Sequence, residues 1–184
     1  MSALSGIVLA AGAGSRAGGP KALRVASDGR SWIAHSVGML RDAGASRVVV
    51  VLGASADEAR ALVPDDTTVV LAEDWANGMS ESLRTGLASS TGDVALITLV
   101  DLPELPVAVA DRLLAIAPNR ETLRQAIFDG RPGHPVLIGS AHWNALAETL
   151  SGDRGARAYL VAHGVEEVEC GDLDPGEDID GPVQ

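Results

Sequence analysis

The sequence contains one cysteine, Cys170, and one lysine, Lys21, among its 184 residues. A lone thiol cannot close an internal disulfide, so the fold has to be held by its apolar core. At this length a single domain over residues 1–184 can bury a substantial one. Cys170 itself reads as a small, half-buried residue near a strand end. Long apolar runs are missing too. The opening MSALSGIVLAAG has no basic leader region and its apolar run breaks at Gly12, so neither a signal peptide nor a membrane span is expected, and the location expected is cytoplasmic. Positive charge is scarce: the net charge is −11, which disfavours nucleic acid and membrane surfaces as partners, since both are polyanions. There is no internal repeat, linker or low-complexity segment. An anionic small ligand must therefore meet a local positive site rather than a global field.

That site is readable in Leu9 to Leu23, LAAGAGSRAGGPKAL. The segment follows the apolar run Ile7, Val8, Leu9, a first buried strand. Gly12 and Gly14 let the backbone approach a ligand closely and take left-handed dihedrals, so that consecutive N–H groups can point at phosphate oxygens. Leu9, Ala10, Ala11, Gly12, Ala13, Gly14 and Ser15 are the candidate nucleotide-binding stretch, with mobile charge from Arg16 and Lys21. Two better-known phosphate loops are excluded. Gly12 to Ala17 satisfies the letters of a dinucleotide fingerprint, but Gly18-Gly19-Pro20 would end the helix which that motif needs. A Walker loop needs Gly-Lys-Ser/Thr, and Lys21 is preceded by Pro20 and followed by Ala22. An ordinary glycine-rich turn explains neither Arg16 nor the Pro-Lys pair.

Along the chain, continuous apolar strands alternate with helices. Strands are expected at Val48–Leu52, Thr68–Ala72, Asp93–Asp101, Glu121–Phe128, His134–Ile138 and Val165–Cys170. Helices are expected around Trp32–Leu40, ended by Gly44, and at Ala56–Leu62, Met79–Leu87, Pro106–Ile116, Trp143–Leu150 and Ala156–His163. This pattern predicts an α/β fold: a mostly parallel sheet covered by helices on both faces, with one antiparallel element around the turn Asp129-Gly130-Arg131-Pro132. The acidic, Gly- and Pro-rich tail from Gly171 reads on composition as a solvated end.

In such sheets ligands sit beyond the carboxyl ends of the strands, where strand order reverses. The glycine-rich loop follows the first strand and Asp101 ends a later one, so the two could share that edge. A carboxylate ending a buried strand needs a partner. Mg²⁺, which takes one or two carboxylates together with phosphate oxygens and water, suits Asp101; the plainer role is a cap on the turn into Leu102-Pro103.

The pattern L-A-A-G-x-G-x-R-x-G-x-P-K-x-L resembles the signature loop of the MobA-like nucleotidyltransferases, and its Ala10-Ala11 form resembles the molybdenum cofactor cytidylyltransferases among them. Later stretches are similar to family motifs as well. Asp101-Leu102-Pro103 resembles a metal-binding Asp-x-Pro, and Asp178-Ile179-Asp180-Gly181-Pro182 an acidic motif that completes the metal site, with Gly181 where threonine is usual. Gly78-Met79-Ser80-Glu81-Ser82-Leu83 resembles a helix start near the nucleotide base, Gly133-His134-Pro135 a strand near the acceptor, and Gly152 to Arg157 a run of the cytidylyl branch. From the residues alone, His134 could equally be a structural hydrogen-bonding residue and Asp153 a helix N-cap.

The resemblance implies a three-layer Rossmann-like nucleotidyltransferase fold. It also implies Mg²⁺ on Asp101 and Asp180, nucleotide contacts from Gly78 and Ser82, and acceptor contacts from His134, Pro135 and Arg157. The implied reaction is attack by an acceptor phosphate on the α-phosphorus of a nucleoside triphosphate with loss of pyrophosphate. Arg16 and Lys21 would offset the developing charge, and no general base is needed. The implied reactants are CTP and molybdopterin, with a molybdoenzyme as the implied protein partner. The Ala11 methyl, where the guanylyl branch has glycine, favours a pyrimidine on steric grounds. Three alternatives stay open: another phosphorylated acceptor, an NAD(P)H-dependent reductase of the nicotine blue oxidoreductase type, and a carrier that delivers a cofactor without turnover.

Overall fold

The computed structural model describes residues 2–15 and 18–179. The first strand, β1 (Leu4–Ala10), is buried along its whole length, as expected for an apolar strand covered on both faces. It is followed by the glycine-rich loop and then by α1 (Trp32–Asp42), which starts where the Ser31 hydroxyl accepts the Ala34 N–H at 3.0 Å, an N-cap in the usual sense. The chain continues through β2 (Arg47–Leu52), α2 (Ala56–Arg60), β3 (Thr68–Leu71), α3 (Met79–Ser89), β4 (Val94–Leu99), α4 (Val107–Leu114), β5 (Leu123–Phe128), β6 (Arg131–Gly139), α5 (Trp143–Thr149), α6 (Arg157–Ala162) and β7 (Glu166–Glu169).

The strands form one seven-stranded sheet in the order β3-β2-β1-β4-β6-β5-β7. β6 runs antiparallel to both of its neighbours and the other pairings are parallel. Alternate residues of the central strands face opposite cores, as the period of two requires. Val8, Val50 and Leu96 join Ile33, Leu40 and Leu113 from α1 and α4. Ile7, Val49 and Ile97 join Leu83, Leu146 and Leu160 from α3, α5 and α6. The result is the expected three-layer α/β arrangement. Among the described residues no helix is long and apolar enough to cross a membrane.

Three local expectations need correction. The turn before β6 is only Asp129-Gly130, both at positive φ (51° and 74°), the two-residue geometry that matches strand twist. Arg131 and Pro132 therefore belong to β6, and Pro132 is accommodated beside a register irregularity between Gln125 and Ile127. Cys170 is fully buried rather than half-buried. As far as Ile179, the tail does not run off into solvent. Leu173 and Ile179 pack on the core, and the Ile179 N–H donates to the Asp101 carbonyl at 3.1 Å, because two apolar side chains among the acidic ones are enough to bring the segment back.

Candidate active site

Strand order reverses around β1. Its loop leads toward β2, while β4 pairs on the other side with Leu9 opposite Leu99. The crevice beyond these two strand ends is where the glycine-rich loop lies. Gly14 adopts φ 59°, and a Cβ there would sit 1.8 Å from the Gly19 carbonyl oxygen. The loop closes on itself through the Gly19 N–H, which donates to the Gly14 carbonyl at 3.1 Å, so only glycine fits at position 14. Among the described residues the N–H groups of Gly12 to Ser15 meet no backbone acceptor, which leaves them available to an anion.

Pro20 starts a short 3₁₀ turn, Lys21–Leu23, that carries the lysine back over the crevice. Lys21 Nζ lies 2.9 Å from Asp101 Oδ2, both side chains being mostly buried (14% and 16% exposed). Asp101 Oδ1 is buried and accepts no hydrogen bond from any described residue. A buried carboxylate oxygen without a partner is costly, and a hard divalent cation is a fitting one. Among the described residues no three His, Cys, Asp or Glu side chains gather around one point, so within that set Asp101 would meet the ion together with phosphate oxygens and water.

The opposite wall is the start of α3. Gly78, at φ 117°, lets the helix approach the Gly152 backbone; a Cβ there would lie 2.4 Å from the Gly152 carbonyl, and the Ser80 N–H donates to that carbonyl at 3.1 Å. Ser82 is buried on the first turn. Leu9, Ala10, Ala11, Gly12, Ala13, Gly14, Ser15, Gly78 and Ser82 all line one cavity of about 450 Å³ together with Lys21 and Asp101. Arg16 and Asp180 lie outside the described residues.

A second cavity of about 210 Å³ adjoins the first, sharing Leu9 and Met79, and takes in His134 and Arg157. Pro135 is buried beside it and is not part of its lining. His134 is half-buried and faces the cavity, and desolvation pushes its imidazole down to about 4 against the opposing pull of the Asp101 charge. It is therefore neutral near pH 7 and offers one donor and one acceptor.

Lining residues that sequence reasoning did not assign to the site include Trp75 and Asp153 in the larger cavity and Gln125 in the smaller. Gln125 had a signal, an uncharged polar residue inside the apolar run of β5. Asp153 is not the N-cap of α6; that position is Ala156, and no side chain caps it.

Residues 6–168 match the model of the MobA-like NTP transferase domain. The chain belongs to the MobA-like NTP transferase family. As a member it is an enzyme of the nucleotidyltransferase class. It is 36% identical over 190 residues to nicotine blue oxidoreductase of Paenarthrobacter nicotinovorans, covering 96% of this chain and 92% of that protein. It is 34% identical over 128 residues to a protein of Rhodopirellula baltica named "Probable molybdenum cofactor guanylyltransferase", covering 68% of this chain and 60% of that one. Among solved structures, Rv0371c of Mycobacterium tuberculosis H37Rv superposes with a TM-score of 0.80 at 27% identity, covering 98% of this chain and 94% of its own. Rv0371c has also been solved as a complex with manganese, which superposes with a TM-score of 0.75 at 28% identity, covering 91% of this chain and 88% of that one.

Proposed function

We propose that this chain works as a single nucleotidyltransferase domain that moves CMP from CTP onto a phosphorylated acceptor, molybdopterin, in the cytoplasm and with Mg²⁺. The observation that carries the reading is the convergence of three features on one cavity: a backbone loop with available N–H groups, the only lysine, and a carboxylate with an orphaned buried oxygen.

Gly12 to Ser15 hold the triphosphate through backbone N–H groups, and Arg16 adds positive charge. Lys21 exchanges its Asp101 partner for phosphate oxygens and neutralises charge that builds on the leaving pyrophosphate. An oxygen of the acceptor phosphate attacks the α-phosphorus, and the bond to the bridging oxygen of pyrophosphate breaks. The acceptor oxygen is already ionised, so no side chain has to take a proton. Asp101, joined by Asp180, is the ligand set for Mg²⁺, which when bound supplies charge neutralisation on the triphosphate. Gly78 and Ser82 line the base end of the site, and Ala11 narrows it toward a pyrimidine. The smaller cavity, with His134 and Arg157 and with Pro135 behind them, takes the acceptor. Catalysis then rests on positioning and charge.

The test is a screen of the four nucleoside triphosphates against molybdopterin and other phosphorylated acceptors, with and without Mg²⁺, reading pyrophosphate. Release with CTP and molybdopterin that requires the metal is expected. A preference for GTP sinks the steric argument from Ala11, and no release with any pair sinks transfer itself.

The 36% identity to nicotine blue oxidoreductase over nearly the whole chain supports a second reading, a reductase in which the same loop holds the phosphates of NAD(P)H. Reduction of a dye by NADPH, with no pyrophosphate released from any triphosphate, would select it.

A further inference from the structure

The lining of the smaller cavity is unusually lopsided. Leu9, Leu83, Ile97, Val136, Ile138 and Leu160 present hydrocarbon, and against this wall stands one neutral amide, Gln125, only 7% exposed. Its Nε2 donates to the Gly133 carbonyl at 3.1 Å. That bond fixes the amide, because the reversed orientation would set two acceptor oxygens face to face. Oε1 is then the free end, and among the described residues nothing donates to it. The register irregularity between Gln125 and Ile127 lies where β5 meets the Pro132-Gly133 stretch of β6; such irregularities re-aim side chains. Gln125 sits on the cavity wall, and no described residue donates to its acceptor oxygen.

We infer that Gln125 reads a ring N–H of the acceptor, so that the cavity selects a planar nitrogen heterocycle over a polyol. The inference rests on the reading that this cavity holds the acceptor. A polyol would bring several hydroxyl groups against aliphatic carbon and leave most of them unpaired, which is costly. A flat ring fills the apolar walls and offers one donor to Oε1. The neutral imidazole of His134, held near 4 by burial, adds a donor and an acceptor without charge, and exposed Arg157 stands at the rim for an anionic substituent. This division into an apolar body and a few placed polar groups is what small-molecule sites use for orientation.

The test reads binding without turnover. Two bicyclic monocarboxylates serve as fluorescent probes: pterin-6-carboxylate, which carries ring N–H donors, and naphthalene-2-carboxylate, which carries none. The wild-type protein is expected to bind the pterin at least about tenfold more tightly, the scale of one buried hydrogen bond. Gln125→Leu should erase that preference while leaving naphthalene-2-carboxylate and CTP affinities within about twofold, since Gln125 does not line the larger cavity. Gln125→Met, unbranched and of similar length, answers the same question if the leucine variant fails to fold. Equal binding of the two probes by wild type, binding of neither, or an undiminished preference in the variants overturns the inference. Absence of pyrophosphate release would overturn transfer and leave this binding preference standing, so the two failures are distinguishable.

Discussion

Lys21 and Asp101 illustrate how a site of few charges works at the scale of single residues. Each is mostly buried, and they form an ion pair at 2.9 Å. On the proposed reading, the pair holds the charge of the only lysine beside the triphosphate site. Lys21→Ala should lower the rate of pyrophosphate release at least about tenfold, because the lost group acts on charge in the transition state. A thermal melt of the variant that still shows a cooperative transition above the assay temperature would separate this from unfolding, and full activity would remove Lys21 from the mechanism. His134 makes a second prediction. Burial lowers its folded pKa from 6.5 to about 4, so between these values the unfolded chain binds a proton that the folded chain does not. Its contribution to stability is present above pH 6.5 and is lost as pH falls toward 4. Urea unfolding across that window should show a steeper decline for wild type than for His134→Gln; parallel curves would contradict it. Gly14 and Asp101 were legible in the sequence because each closely follows an apolar strand, and Lys21 because it is the sequence's only lysine. Trp75 and Asp153 were not, since only the packed chain brings them to the cavity.

At the scale of elements, the site depends on how closely α3 approaches the Gly152 turn. Gly78 permits that approach through a backbone conformation that side chains disfavour and through a clearance that a methyl group would fill. Gly78→Ala should therefore destabilise the fold by more than about 1 kcal/mol and weaken CTP binding at least severalfold, measured by denaturant titration and by direct nucleotide binding. An unchanged variant would mean that the start of α3 is not part of the nucleotide wall. Element positions followed from periodicity, and most ends agree to within a few residues. Two failures have physical causes. Asp129-Gly130 suffices as a turn, so the strand began earlier than Pro132 suggested. The tail looked solvated because its charges outnumber Leu173 and Ile179, whose burial nonetheless brings the chain back to Asp101.

For the molecule as a whole, the net charge of −11 sets a general repulsion against anionic ligands, so a phosphate has to be met locally. No cluster of three metal-ligating side chains is preassembled among the described residues, so the metal should bind with the nucleotide rather than before it. Mg²⁺ alone is expected to shift the thermal midpoint little, CTP with Mg²⁺ to raise it clearly through linkage, and EDTA to remove the added increment without unfolding the protein. A large shift from Mg²⁺ alone would point to a complete protein site. The α/β class and the glycine-rich loop with its lysine after the first strand were determined by the sequence alone, because strand burial and loop composition are local and show as periodicity and as residue type. The sheet order, the meeting of Lys21 with Asp101 across 80 residues, the return of the tail and the apolar cavity floored by Gln125 were decided only by tertiary structure. These depend on which strands pair and which side chains then share one space, and no spacing along the chain encodes that.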